Sequence, residues 1–152
     1  MRKTITSVVM AGVAAATVLL AQPVFRGTEI FPPEEFAARR ATVMAQIGDG
    51  VAIMLGTTEP PGEMPFRQNN QFFYLTGVTE PRAYAIIDGR AKTTTVFLQP
   101  KTATQDNSQY GPGMSPGAAA AKALGVDAAV DRAEFTAAIT AIAKDKRTIY
   151  TP

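Results

Sequence analysis

The chain has 152 residues, of which 15 are Lys or Arg and 13 are Asp or Glu, and it contains no histidine and no cysteine; that length suits one core rather than two. Without cysteine there are no disulfides, thiolate metal sites or thiol nucleophiles, and without histidine the usual base at neutral pH and the commonest nitrogen ligand for metals are missing. The basic excess is Arg2 and Lys3 alone, and beyond Gln22 the two signs balance at 13 each, which leaves no basic surplus to neutralise phosphates and excludes a nucleic-acid partner.

Residues 5–21 form an uncharged run of 17 residues rich in Ala, Val and Leu, closely followed by Pro23. The run is short for a spanning helix, which wants about 20 apolar residues, and it follows two basic residues, so residues 1–22 read as a cleavable export leader with Ala21 at the cleavage position. The expected location is periplasmic or extracellular, and the folded domain is expected over residues 23–152. A helix is predicted over residues 33–47, with Pro32 and Pro33 where amide donors are not needed and Glu34 and Glu35 at the positive end of the helix dipole. Gly48 and Gly50 stop it, and residues 51–55 are a continuous apolar run that reads as a buried strand. Residues 59–65 hold three prolines and a glycine and read as a loop. Residues 83–87 and 94–98 are β-prone runs around Asp88 and Gly89 and predict a hairpin.

Residues 99–115 are polar and rich in Gly, Pro and Thr, a connection longer than compact domains normally carry. An Ala-rich helix follows from Pro116 to about Leu124, ended by Gly125. Residues 126–130 lead to a second helix near Arg132, whose apolar positions Phe135, Ala138, Ile139 and Ile142 keep helical spacing. A further strand begins at residues 148–150. Helices interspersed with strands and one hairpin give the fold class α/β, a mixed β-sheet covered by helices.

Candidate chemistry is sparse. Asp127, Asp131 and Glu134 come closest to a carboxylate cluster, but Asp131 falls at a helix N-cap and Glu134 three residues on, the spacing of a capping arrangement. Ser108 and Ser115 have no histidine partner. The glycines of residues 111–117 lack the Lys-Ser/Thr of a phosphate loop, and their prolines remove amide donors. No catalytic residue and no metal ligand is assigned to this chain, and it is expected to be inactive by itself.

The most unusual stretch is residues 66–81, Phe-Arg-Gln-Asn-Asn-Gln-Phe-Phe-Tyr-Leu-Thr-Gly-Val-Thr-Glu-Pro, in which amide and guanidinium side chains precede three consecutive aromatics. Amides satisfy backbone groups where a chain turns, and the aromatics either fill space beneath the sheet or stand at a contact surface. Both readings stay open. Arg67, Phe72, Phe73 and Tyr74 are the candidate interface or substrate-mouth residues.

This stretch resembles the Arg-Gln-Asn-x-x-Phe-aromatic-Tyr-Leu/Phe-Thr-Gly-x-x-Glu-Pro signature of the N-terminal domain of Xaa-Pro aminopeptidases (aminopeptidase P), in the creatinase and prolidase group. Phe36, Ala37, Ala38, Arg39 and Arg40 are similar to that family's first helix, residues 83–88 to its next strand, and Leu124, Gly125, Val126 and Asp127 to its late Gly-Val/Ile-Asp turn. The resemblance implies the corresponding N-terminal-domain fold and a parent in which a separate pita-bread domain removes the residue before a proline. Two metal ions, usually manganese, would be held there by two Asp, one His and two Glu, none of them in this chain. It implies as partners that C-terminal catalytic domain, further copies of the enzyme in a homo-oligomer, and proline-containing peptides as the parent's substrate. On this basis the chain is expected to be a truncated frame. Phe73 stands where some relatives have Trp, and Gln105 and Tyr110 where relatives often have Arg and Trp, so contacts of those side chains would be altered. The other readings are a free-standing module that oligomerises or binds peptides through residues 72–75, and the N-terminal domain of a prolidase or creatinase.

Overall fold

A computed structural model of the chain describes residues 31–58, 66–101 and 113–152. The leader, the proline-rich loop and positions 105, 106, 108 and 110 lie outside the described residues. In chain order the elements are α1 (Pro33–Ile47), β1 (Val51–Leu55), α2 (Asn70–Thr76), β2 (Tyr84–Asp88), β3 (Thr93–Leu98), α3 (Ala118–Leu124), β4 (Ala128–Asp131), a 3-10 turn (Arg132–Glu134), α4 (Phe135–Lys144) and β5 (Ile149–Tyr150).

The five strands form one sheet in the order β4-β3-β2-β1-β5. β2 pairs antiparallel with both β1 and β3, while β4 runs parallel to β3 and β5 parallel to β1. The sheet is therefore mixed, as expected, and β1, β3, β4 and β5 all point the same way. Alternate residues of β1 serve opposite faces, as the pleat requires. Ala52 and Met54 join the larger core beneath α1, α2 and α3, with Phe72, Leu75, Ile87, Val96, Leu98 and Leu124. Val51 and Ile53 join Ile86 and Phe97 under α4, where Phe135, Ala138, Ile139 and Ile142 cover them. Burial on both faces is why the strand sequence is continuously apolar instead of alternating.

Two elements depart from the sequence reading. Residues 126–130 were expected only to lead into a helix, yet Ala128–Asp131 forms β4 against β3. Two alanines carry little β preference, so sheet pairing decides the conformation. Residues 70–76 form a helix where turn and packing roles alone were expected. Asn69 caps it, its Oδ1 accepting from the N–H of Gln71 at 2.9 Å and of Phe72 at 3.0 Å. Gly77 ends it in the left-handed conformation at φ 67°, and a Cβ there would lie 2.7 Å from Phe36 Cε2, so only glycine allows α1 to pack this closely. The expected cap at Asp131 is present, its Oδ1 accepting from Ala133 N–H at 2.8 Å.

Arg147 fastens the last strand to the sheet. Its guanidinium grips Asp88 with two hydrogen bonds of 2.7 and 2.5 Å and also donates to the carbonyls of Asp49 and Gly50. The Arg147 hydrogen bonds hold the Asp88 carboxyl at about 2, below its ordinary 3.8. A carboxyl depressed in the folded state stabilises fully above its unfolded pKa and loses that contribution as pH falls through the folded one. With side chains 21% and 7% exposed, the contribution is at most about 2 kcal/mol. Urea titrations are expected to show it disappearing between about pH 4 and about pH 2, and Asp88→Asn is expected to flatten the profile over that interval.

Candidate functional site

The sequence stretch of residues 66–81 runs from an extended entry into α2 and out through Gly77. A helix turns about 100° per residue, so three consecutive aromatics cannot share one environment. Phe72 is fully buried and packs in the larger core. Its place among the candidate surface residues is therefore corrected: it is a core residue. Phe73 is half-buried and meets the ring of Phe36 edge-on at 6.1 Å. Tyr74 is 55% exposed.

An arginine does meet Tyr74, together with two aromatics outside the stretch, but it is Arg39 of α1 and not Arg67. The Arg39 guanidinium lies 4.3 Å from the centre of the Tyr74 ring, 5.0 Å from Phe31 and 5.2 Å from Phe36. It also donates to the Tyr74 carbonyl at 3.1 Å and pairs with Glu35 at 3.0 Å, one helical turn earlier. Arg67 is exposed on the entry stretch. The sequence signal for Arg39 was available in the Glu35, Phe36, Arg39 spacing of one helical face.

Beside Tyr74 lies an apolar groove of about 580 Å³, lined among others by Val43, Ile47, Met54, Leu75 and Tyr150. Phe31, Ile149 and Tyr150 are also substantially exposed. Tyr74 thus joins a cationic aromatic cluster on one side to an apolar depression on the other. A surface with an aromatic and arginine centre can bind; it holds no proton-transfer or nucleophilic pair. Among the described residues no three His, Cys, Asp or Glu come together in a way that could hold a metal ion. Among them too, no helix is long and apolar enough to cross a membrane.

Comparison with known proteins gives a consistent result. The family model described as aminopeptidase P, N-terminal domain, matches residues 36–150. The chain is 29% identical over 129 residues to a Xaa-Pro aminopeptidase of Haemophilus influenzae, covering 78% of this chain and 29% of that protein. It is 33% identical over 78 residues to a protein of Paracoccidioides brasiliensis named "Probable Xaa-Pro aminopeptidase PEPP", covering 46% of this chain and 17% of that one. Among solved structures it is similar to aminopeptidase P from Escherichia coli with the inhibitor Pro-Leu, with a TM-score of 0.62 and 25% identity over 72% of this chain and 26% of the other. The chain spans less than a third of the length of the curated relatives it matches.

Proposed function

Because this chain belongs to the aminopeptidase P N-terminal domain family, we propose that it serves as the non-catalytic N-terminal domain of an exported Xaa-Pro aminopeptidase. In this reading the chemistry, release of the residue before a proline, resides in a C-terminal domain outside this sequence. The present domain contributes contacts between copies of the enzyme and part of the wall of the active-site mouth. The observation that carries the reading is the exposed Tyr74, braced by Arg39, whose guanidinium also lies over Phe31, beside an apolar groove: a surface suited to contact. Phe73 and Tyr74 are assigned to that surface, and Arg67, exposed on the stretch that leads into α2, is assigned as a further contact residue. In the same reading the manganese ions are held by that catalytic domain.

Purified protein consisting of this chain alone is expected to show no cleavage of peptides with proline in the second position when manganese is added. Turnover that a chelator abolishes in a homogeneous preparation would overturn the assignment. In an enzyme carrying this domain and its catalytic partner, Phe73→Ala and Tyr74→Ala are expected to raise KM or weaken subunit association while the domain stays folded. If both variants leave KM and oligomeric mass unchanged, the mouth and oligomer roles fail.

A further inference from the structure

The side of the sheet away from the Tyr74 surface carries a second depression. β1 places Val51 and Ile53 on the α4 side, and the pleat puts Leu55 there with them. Strand pairing sets Leu55 beside Tyr84, Tyr84 beside Phe97 and Phe97 beside Val130, one row near the carboxyl ends of β1, β3 and β4. Phe135, the first residue of α4, covers the middle of the row, its ring centre 4.4 Å from that of Tyr84 and 5.1 Å from that of Phe97. Leu55, at the end of the row, remains 53% exposed. A cavity of about 680 Å³ opens there, with Pro100, Asp131 and Arg132 also in its wall.

Two charges line this cavity, and they are not equally matched. Asp131 Oδ1 accepts from Ala133 N–H at 2.8 Å at the start of the 3-10 turn that leads into α4, where backbone donors and the positive end of the helix dipole meet its charge. Arg132 has only the Tyr84 hydroxyl, 3.5 Å from its Nη1 and at the limit of hydrogen-bond length, and the Tyr84 ring, whose centre is 5.7 Å from its Cζ. Among the described residues no carboxylate pairs with Arg132, and its Nε and Nη2 donate to nothing. Those two nitrogens form one edge of the guanidinium fork, an edge that receives a carboxylate through two parallel hydrogen bonds.

We propose that this cavity binds a monoanionic organic acid, with the ligand's carboxylate on the Nε and Nη2 edge of Arg132 and its apolar body against Leu55, Tyr84 and Phe135. The charge inventory selects the class of ligand. A phosphate dianion would meet a single arginine with the Asp131 carboxylate next to it in sequence, whereas a carboxylate needs only one fork. The two aromatic rings and Leu55 supply an apolar wall for the rest of the ligand, the usual division of a small-molecule site into an apolar lining and one orienting polar group. Contact with the Tyr84 ring and hydroxyl holds the guanidinium in place beforehand, which reduces the ordering cost of binding. The site shares no residue with the Tyr74 surface and does not depend on the role given to it.

In NMR titrations of the full 152-residue chain, phenylpropionate is expected to shift the backbone amides of Leu55, Tyr84, Arg132 and Ala133 saturably, with a Kd of about 1 mM, the strength that about eleven non-hydrogen atoms can supply. Phenylpropionamide, the same body without the charge, and Arg132→Gln should each weaken binding by about tenfold or more. Arg132→Lys should cost about threefold, because an ammonium keeps the charge and loses the fork. Leu55→Asp, at a position already exposed, should oppose the ligand's charge and weaken binding by about tenfold. Phenyl phosphate should bind less tightly than phenylpropionate. Equal affinity for the acid and its amide, parental affinity in Arg132→Gln, tighter binding of phenyl phosphate, shifts confined to the Tyr74 groove, or no saturation by about 20 mM would each overturn the site. If Arg132→Gln does not fold, Leu55→Asp and the amide comparison decide.

Discussion

Alanine at Arg40 is expected to lower stability by about 3–5 kcal/mol, a loss comparable to the whole stability of many small domains. Arg40 is 3% exposed, in the middle of the buried face of α1 between Phe36 and Met44. Its Nη1 donates to the Leu75 carbonyl at 3.0 Å, and its Nη2 donates to the Gly125 carbonyl. Leu75 lies in the last turn of α2, and Gly125 is the residue that ends α3. One guanidinium therefore satisfies carbonyls at the C-terminal ends of two helices, where a cation also meets the negative end of each helix dipole. Burial lowers the pKa of this guanidinium and the nearby Asp127 partly opposes that, but arginine keeps its charge in proteins. Removing it strands both carbonyls and opens a cavity. Methionine would fill the volume without serving the carbonyls, and lysine brings a single ammonium where a fork is needed. Urea unfolding midpoints should thus fall in the order Arg, Lys, Met, Ala. A methionine variant within about 1 kcal/mol of the parent would show that packing alone matters at this position.

The position of Arg40 also marks the limit of what pattern reading can reach. Helix α1, the β2–β3 hairpin, α3, α4 and the mixed sheet were all legible, because hydrophobic period and glycine placement reflect local geometry. Arg40 follows Phe36 by one helical turn on the apolar stripe, and a charge there reads as a solvated residue until two helix ends are known to converge on it. Helix α2 was missed for a related reason. Its seven residues are too few to show a period, though Asn69 before them and Gly77 after them are ordinary start and stop signals. β4 is set by pairing with β3 and not by its own residues. At the candidate surface, Phe73 and Tyr74 stand out in the sequence as part of an aromatic run, whereas Arg39, which holds the cluster together, comes from a helix 35 residues away in sequence. The Glu35, Phe36, Arg39 spacing marks a helical face, but the pairing of Arg39 with Tyr74 across that separation leaves no mark on local periodicity.

The sharpest test of the surface assignment is a contrast between neighbours. Phe72→Ala is expected to destabilise the domain by about 3–5 kcal/mol, since it empties a fully buried site among Met44, Leu75, Val96 and Leu124. Tyr74→Ala is expected to cost no more than about 1 kcal/mol, the worth of its exposed contact with Arg39, because half its surface already meets water. Two aromatics two residues apart should therefore differ several-fold in guanidinium unfolding experiments. Equal losses would mean that Tyr74 is structural and that the braced aromatic cluster exists to hold α1 against α2. A large difference separates fold from contact within one helix. It supplies a variant, Tyr74→Ala, that stays folded and leaves the buried side of α2 intact, so any defect it causes in assembly or peptide affinity is attributable to the exposed face alone.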